Sequence, residues 1–393
     1  MSISPIEPEY IVQLRESLRR FVAKEMPRSK AAEWDKTNHF PRDVFDKLGQ
    51  LGVMGLTVPE EYGGVGRDII ATMIVIEELS KRSMAVAVPY IMSACYAGMN
   101  MVESASDEQK QRFLPGIAAG KIMFAYGWTE PDVGADLASV RTTAERVGDK
   151  IIVNGEKRFC SGAAISDFIF TLVRSGDRDA RYKNLSFVLI PPNAPGVTVT
   201  GIDAMGMKGA ATTDVVFQDV EVPIDMLVGG EAGWNNGWTM ITGAGLDVEK
   251  LEVAAMSIGI AQAALDDAWD YAHQRRQFGK PVSNYQSIQH KLAKMDADIE
   301  MARRYLYHAS ALANAHIPCA RETSIAKLQA SEIAKVVTQE SMTIHGAYGY
   351  VKEFDIERYV REALLMPIIG GSSAIQLNNI YKAMARVRAS GQV

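Results

Sequence analysis

An α+β chain, helical at both ends with a β part between, is what the sequence predicts, and two observations predict it. Apolar positions recur three or four residues apart over 1–121 and again over 237–393, the period of a buried helix face. Over 122–236 the pattern changes to short β-branched and aromatic runs separated by Gly, Asn and Pro turns. The expected parts are an N-terminal helical domain (1–121), a middle β-barrel or sandwich domain (122–236) and a C-terminal helical bundle (237–393). With 393 residues the chain can bury a core of that extent.

In chain order, helical patterns run over 10–25, 41–51, 69–81 and 87–102, with a turn-rich connector at 51–64. Ser106-Asp-Glu-Gln109 has the form of a capping box opening a further short helix, which Pro115-Gly116 is expected to end. Strands are expected at 140–147, 150–153, 168–173, 185–190 and 214–217, with turns at Gly148-Asp149, Asn154-Gly155 and Pro191-Pro192-Asn193. Ile288, Leu292, Met295, Ile299 and Ala302 mark one apolar helix face, and further helices are expected at 323–344, 355–363 and 373–388.

The composition, 47% hydrophobic and 23% charged, is that of an ordinary soluble protein. A net charge of −5 argues against a nucleic-acid partner, which needs a basic face. No apolar run approaches a membrane span, since 69–76 soon meets Glu77 and Glu78, and the acidic start of the chain does not resemble a leader. No membrane association and a cytoplasmic location are therefore expected. Cys95, Cys160 and Cys319 stand far apart and the six histidines are dispersed, so buried thiols and no metal site are expected. Nineteen methionines suit packing around something irregular, or simple core filling. Neither a Walker motif nor a GxGxxG following a strand occurs.

Three runs carry chemistry. Tyr-Gly-Trp-Thr-Glu-Pro-Asp-Val-Gly-Ala-Asp at 126–136 offers an aromatic edge, a hydroxyl and a backbone bent by Pro131 and Gly134, where N–H groups can converge on an anion. Arg-Arg-Gln-Phe-Gly at 275–279 offers guanidiniums for a pyrophosphate and a ring to cover another ring. Lys-Arg-Phe-Cys-Ser at 157–161 supplies a further aromatic and a hydroxyl. Together these resemble the acyl-CoA dehydrogenase family over nearly the whole chain. The resemblance implies that family's fold and FAD as cofactor. It places Tyr126, Thr129 and Ala135 along the flavin and pyrophosphate, with Phe159 against the ring and Ser161 near N5. It also places Arg275, Gln277, Phe278 and Gln286 on the FAD of a neighbouring subunit, and Thr343, Gly346, Ala347 and Ser372 beside the cofactor. Taken alone, Phe159 reads as a barrel-core residue, and the two flanking runs reverse that reading. The chain departs from the family pattern at Ala135 (usually Ser or Thr), Ala347 (usually Gly) and Ala374 (commonly acidic or amide), which trims contacts.

The family reaction removes a proton alpha to a thioester while hydride leaves the beta carbon, so a carboxylate must face the alpha carbon. In many members that acid precedes a Gly-Thr-Ser-like loop. Here the loop reads Ile-Gly-Gly-Ser-Ser at 369–373 and Gly370 stands in the acid's place. A second family solution draws the acid from the helix after the β domain, and Glu249 falls there, with Glu252 as a comparison expected on a solvated face. Gly370 keeps a backbone N–H for the thioester carbonyl. Burial should raise Glu249 above its usual ~4.3 while Lys250 pulls the other way, a balance the sequence leaves open. Asp247 resembles a pantetheine contact or reads as a helix N-cap. Ala135, Asp247, Lys250 and Gly370 are the substrate-binding candidates. Ser93, Ala94, Ala97 and Gly98 either leave depth for an acyl chain or let helices pack closely. The expected whole is a homotetrameric FAD-dependent acyl-CoA dehydrogenase with Glu249 as base and an electron-transferring flavoprotein as acceptor. The alternatives are an enoyl-CoA reductase running in reverse and a chemically silent flavin-binding partner subunit.

Overall fold

A computed structural model describes residues 8–389. The acidic start of the chain, read above as unlike a leader, lies outside them up to residue 7. In order come α1 (Glu9–Glu25), α2 (Arg28–Thr37), α3 (Arg42–Gln50), α4 (Ile69–Ser80), α5 (Met84–Tyr90), α6 (Gly98–Ser104) and α7 (Asp107–Ala118). Strands β1 (Phe124–Gly127), β2 (Thr143–Val147), β3 (Lys150–Ser161), β4 (Phe168–Arg174), β5 (Leu185–Ile190), β6 (Val197–Gly201) and β7 (Thr212–Pro223) follow. Then come α8 (Gly237–Ile241), α9 (Ala244–Gln274), the hairpin β8 (Arg276–Gln277) and β9 (Lys280–Pro281), α10 (Gln286–Asn314), α11 (Ala320–His345), α12 (Ile356–Leu365) and α13 (Ser373–Ala389). The helical, β, helical order is as expected. Contacts divide the chain into two compact units, one of residues 1–32, 69–83 and 247–393, the other of 33–68 and 84–246.

The second unit is built on one connected, curled sheet of seven strands in the order β1-β4-β2-β3-β7-β6, with β5 paired to β4. The β2–β3 hairpin turns at Gly148-Asp149 as expected. Asn154-Gly155 is a correction: the chain does not turn there but continues as one twelve-residue strand, β3, with a register shift against β7. A side chain at 155 would meet the Thr142 backbone at 2.6 Å, and Gly155 holds φ +142, so the glycine serves a bulge and a close approach. Strands β1 and β6 were not foreseen. The first is only four residues long and pairs in parallel with β4, and the second lies at the sheet edge against β7 alone.

The capping box of α7 is reciprocated: Ser106 Oγ accepts from Gln109 N (3.3 Å) and Gln109 Oε1 from Ser106 N (3.1 Å). The helix then passes Pro115 and runs to Ala118, against expectation. Proline costs one donor there, and burial of Phe113, Leu114 and Ile117 on the same helix outweighs it. Residues 84–104 form one continuous helix with a π turn at Ile91–Ala97. This corrects the reading that no apolar run approaches a membrane span. The helix is long and apolar enough, and 83% of its apolar window is buried within the protein's own core. Its small residues serve close packing: Ser93 Oγ accepts from Phe124 N (3.2 Å), the Thr57 hydroxyl donates to Ala94 O, and Gly98 leaves room for Thr57.

In the first unit α4 is buried almost all round and packs against α1 and α10. It carries two carboxylates into the core, and cations meet them. Glu77 accepts from Arg303 Nε (3.0 Å) and the Tyr307 hydroxyl (2.6 Å), and Glu78 from Arg19 Nε and Lys81 Nζ, each at 3.2 Å. Gly259 lets α9 run close to α4, since a Cβ there would stand 2.5 Å from Glu77 O. As expected, Leu292, Met295, Ile299 and Ala302 form the buried face of α10.

Candidate functional site

The second unit brings two of the three chemical runs together. Past β1 the chain is pinned to β3: Arg158 N donates to Thr129 O (2.8 Å) and Lys157 Nζ to Trp128 O (3.2 Å). Lys157, wholly buried, also meets Glu130 at 2.7 Å, and Glu130 accepts from Arg141 N (2.6 Å) and Thr142 N (2.9 Å). Burial would push the Glu130 carboxyl up, but the ammonium and these donors outweigh it and hold it below the usual range. Tyr126 stacks on Phe170 (5.3 Å between rings), lies 4.9 Å from the Tyr96 ring and receives Asn100 Nδ2 on its hydroxyl at 3.0 Å.

Between Lys157 and Cys160 the register with β7 shifts, and Phe159 takes φ +60, a conformation bulky side chains rarely adopt. Its ring is 56% exposed, so Phe159 is not a core residue, and the Arg158 guanidinium lies 5.1 Å from its centre. Ser161 closes the strand opposite Thr212. Ala135 is exposed on the segment between β1 and β2. Such a cluster fits a flavin. A strained bulge presents an open aromatic face, and Trp128 Nε1 nearby is buried with no hydrogen-bond partner among the described residues.

The first unit assembles the remaining residues in two places. The hairpin β8–β9 follows α9, with Phe278 at its tip, 93% exposed and at φ +50. Tyr285, just ahead of Gln286, donates from its hydroxyl to Gln277 O (3.1 Å). The Arg275 guanidinium sits 5.6 Å from the Tyr348 ring centre, which joins this hairpin to the 343–348 segment. There Thr343 is exposed and Gly346, at φ +63, ends α11 ahead of Ala347.

The second place holds the acid. Glu249 Oε1 lies 3.8 Å from where a Cβ on Gly370 would stand, so the helix carboxylate and the loop that lacks one do meet. Gly370 and Gly371 take φ +58 and +76, and a Cβ at 370 would lie 2.7 Å from Val253 Cγ2, which accounts for glycine there. Gln376 Nε2 ties the loop down through Gly370 O (3.1 Å) and Gly371 O (2.8 Å), while Ser372 Oγ accepts from Ile375 N (3.4 Å) at the start of α13. Burial pushes Glu249 up to about 7, against the opposing pull of Lys250 and Lys327. The balance left open by the sequence thus falls on the side of burial.

Two expectations are corrected. Asp247 is no N-cap, since it lies inside α9 and accepts from Lys250 Nζ (2.9 Å) and Thr323 Oγ1 (3.1 Å). Glu252 is not on a solvated face, being 1% exposed. Sequence reasoning also missed Lys157 and Lys327. Each had a signal: Lys157 stands on the inward alternation of β3 after Val153, and Lys327 on the buried stripe of α11 between Thr323 and Ser331. The three cysteines are free and buried, and no three of His, Cys, Asp or Glu gather as a metal set among the described residues.

Comparison with known proteins agrees along the chain. Residues 9–121, 125–220 and 235–385 match the acyl-CoA dehydrogenase N-terminal, middle and C-terminal domains. The chain is 36% identical to a probable acyl-CoA dehydrogenase, YngJ, of Bacillus subtilis, over 92% of this chain and 94% of that one. It is 33% identical to the caffeyl-CoA reductase-Etf complex subunit CarC of Acetobacterium woodii, over 92% and 95%. The butyryl-CoA dehydrogenase of Megasphaera elsdenii superposes with a TM-score of 0.91 at 30% identity, over 98% of this chain and all of that one. With all three domains matched in order and the fold shared throughout, this chain belongs to the acyl-CoA dehydrogenase family and is a flavin-dependent oxidoreductase.

Proposed function

We propose that the cofactor is FAD, the substrate an acyl-CoA thioester, and Glu249 the base that removes its alpha proton to give the 2-enoyl-CoA. The observation that carries this reading is the Glu249 carboxylate beside Gly370, raised to about 7 by burial. A base poised near neutral pH takes up the proton without being trapped by it. The Gly370 N–H donates to the thioester carbonyl as charge collects there, which needs no side chain at that position. Bound FAD would supply the hydride acceptor. Phe159 and Tyr126 would bound its ring, Thr129, Ser161 and the loop through Ala135 would meet its polar edge, and Trp128 Nε1 would find an acceptor. Arg275, Gln277, Phe278, Gln286, Thr343, Gly346, Ala347 and Ser372 would hold cofactor shared between subunits of a homotetramer. Asp247 and Lys250, which pair with each other, would contact the substrate. Electron-transferring flavoprotein is the proposed acceptor and the cytoplasm the proposed setting.

The test is anaerobic reduction of the purified flavoprotein by a panel of acyl-CoAs, read as loss of flavin absorbance. Glu249→Gln should slow bleaching at least a hundredfold, the lower range for a general base, while Glu252→Gln should bleach nearly as the parent does. Equal bleaching by Glu249→Gln moves the base elsewhere. A second reading, reduction of an enoyl-CoA with Glu249 returning the proton, is favoured by the likeness to a caffeyl-CoA reductase subunit. Oxidation of the reduced protein by enoyl-CoAs but not its reduction by acyl-CoAs would select it.

A further inference from the structure

We propose that Lys327 is a positioning residue for Glu249, its ammonium holding the neighbouring carboxylate in the ionised form that proton abstraction requires. This rests on the reading of Glu249 as base.

Lys327 is fully buried, and its Nζ has no hydrogen-bond partner among the described residues. The other buried lysines differ: Lys157 has Glu130 and Trp128 O, and Lys250 has Asp247. An amine sealed without an acceptor costs stability, so the fold gives no reason to keep it. Its place on α11 supplies one. One turn earlier Thr323 bonds Asp247 of α9, and five residues later Glu332 accepts from Ser373 Oγ (2.7 Å), beside the Gly370 loop. Lys327 therefore stands on the stretch of α11 that runs from Asp247 to the loop facing Glu249.

Charged groups line both helices of this stretch. On α9 they are Lys250, Asp247 and the buried Glu252. On α11 they are Lys327, Glu332 and Lys335. The 370–373 loop and Gln376 bring none. Lys250 is already engaged with Asp247, and Glu332 with Lys335 (2.5 Å) and Ser373. Burial draws the Lys327 amine down to about 8, with Glu332 and Glu249 pulling it back up. Two such groups titrate as a coupled pair, each favouring the charged form of the other. In the charged form the pair offers a base ready to accept a proton.

The experiment is the pH profile of anaerobic flavin reduction by a saturating acyl-CoA, for the parent, Lys327→Met and Lys327→Arg, with flavin content and melting temperature measured alongside. In Lys327→Met the acid limb should move up by about one pH unit, so that the rate below it falls about tenfold. KM should stay within about twofold, and the melting temperature should hold or rise as a buried amine is removed. Lys327→Arg should return the limb at least halfway. An unmoved limb overturns the proposal whatever the rate. So does a Lys327→Met protein that loses stability or fails to fold, because the lysine would then be structural. If Glu249→Gln bleaches normally, the reading of the base fails instead, which the profiles of the lysine variants cannot cause.

Discussion

Lys157 is a residue whose consequence comes from burial alone. A lysine in an exposed strand would be interchangeable, but here it sits under the bend at 128–130 with Glu130 as counter-charge. Removing one partner leaves the other charged in a dry core, a loss of about 3–5 kcal/mol. Lys157→Met should lower the urea midpoint accordingly and weaken flavin retention. Lys157→Met combined with Glu130→Gln should recover a large part of that loss, and a double variant no better than the single would show that the pair is not the cause. Glu249 is the converse case at the same scale. It has buried cations for neighbours yet ends above the ordinary carboxylate value, so with Glu249 as the proposed base the rate of alpha-proton removal should rise through about pH 7 as it ionises.

At the scale of elements, α1, α4 and α10 are joined by charge as well as apolar surface. Burial would raise Glu77, but Arg303, Lys81 and Arg15 together with the Tyr307 hydroxyl bring it down to about 2. A carboxylate lowered on folding contributes stability that is fully present above its ordinary value of 4.5 and lost as pH falls through about 2. Acid unfolding should therefore steepen between those limits, and Glu77→Gln should flatten that part of the stability profile while costing about 3–5 kcal/mol at neutral pH. A profile unchanged by the substitution would remove Glu77 from this account. The capping box of α7 was legible from four letters because its bonds join residues three apart. Strand β3 was not, because Asn-Gly favours a turn locally and only the Thr142 backbone across the sheet makes it a bulge.

At the scale of the whole molecule, the outward face of α13 carries Leu377, Tyr381 and Met384, spaced to line one side of a helix, and Phe278 stands open on its hairpin. Single exposed apolar residues are ordinary, but a row of them fits burial against further copies of the chain. Light scattering should give a mass near four times the 43.0 kDa of one chain. Tyr381→Glu should shift that toward smaller species and, if subunits share the proposed FAD, release it. A parent protein that runs as one chain with full flavin would end the tetramer proposal.

The order of helical and β parts and the short motifs were decided by the letters themselves, because periodicity and motifs are local properties. The pairing of a loop glycine at 370 with a helix acid at 249 was implied by the family resemblance and is met in the fold. Burial is not a local property. That Phe159 is turned outward, that Glu252 lies in the core, that Asp247 faces Thr323 and that Lys327 has no acceptor among the described residues each depend on which distant segments pack together. Desolvation is a property of all the surrounding atoms at once, so only the tertiary structure could decide which carboxylate is poised near neutral pH and which lysines pull against that.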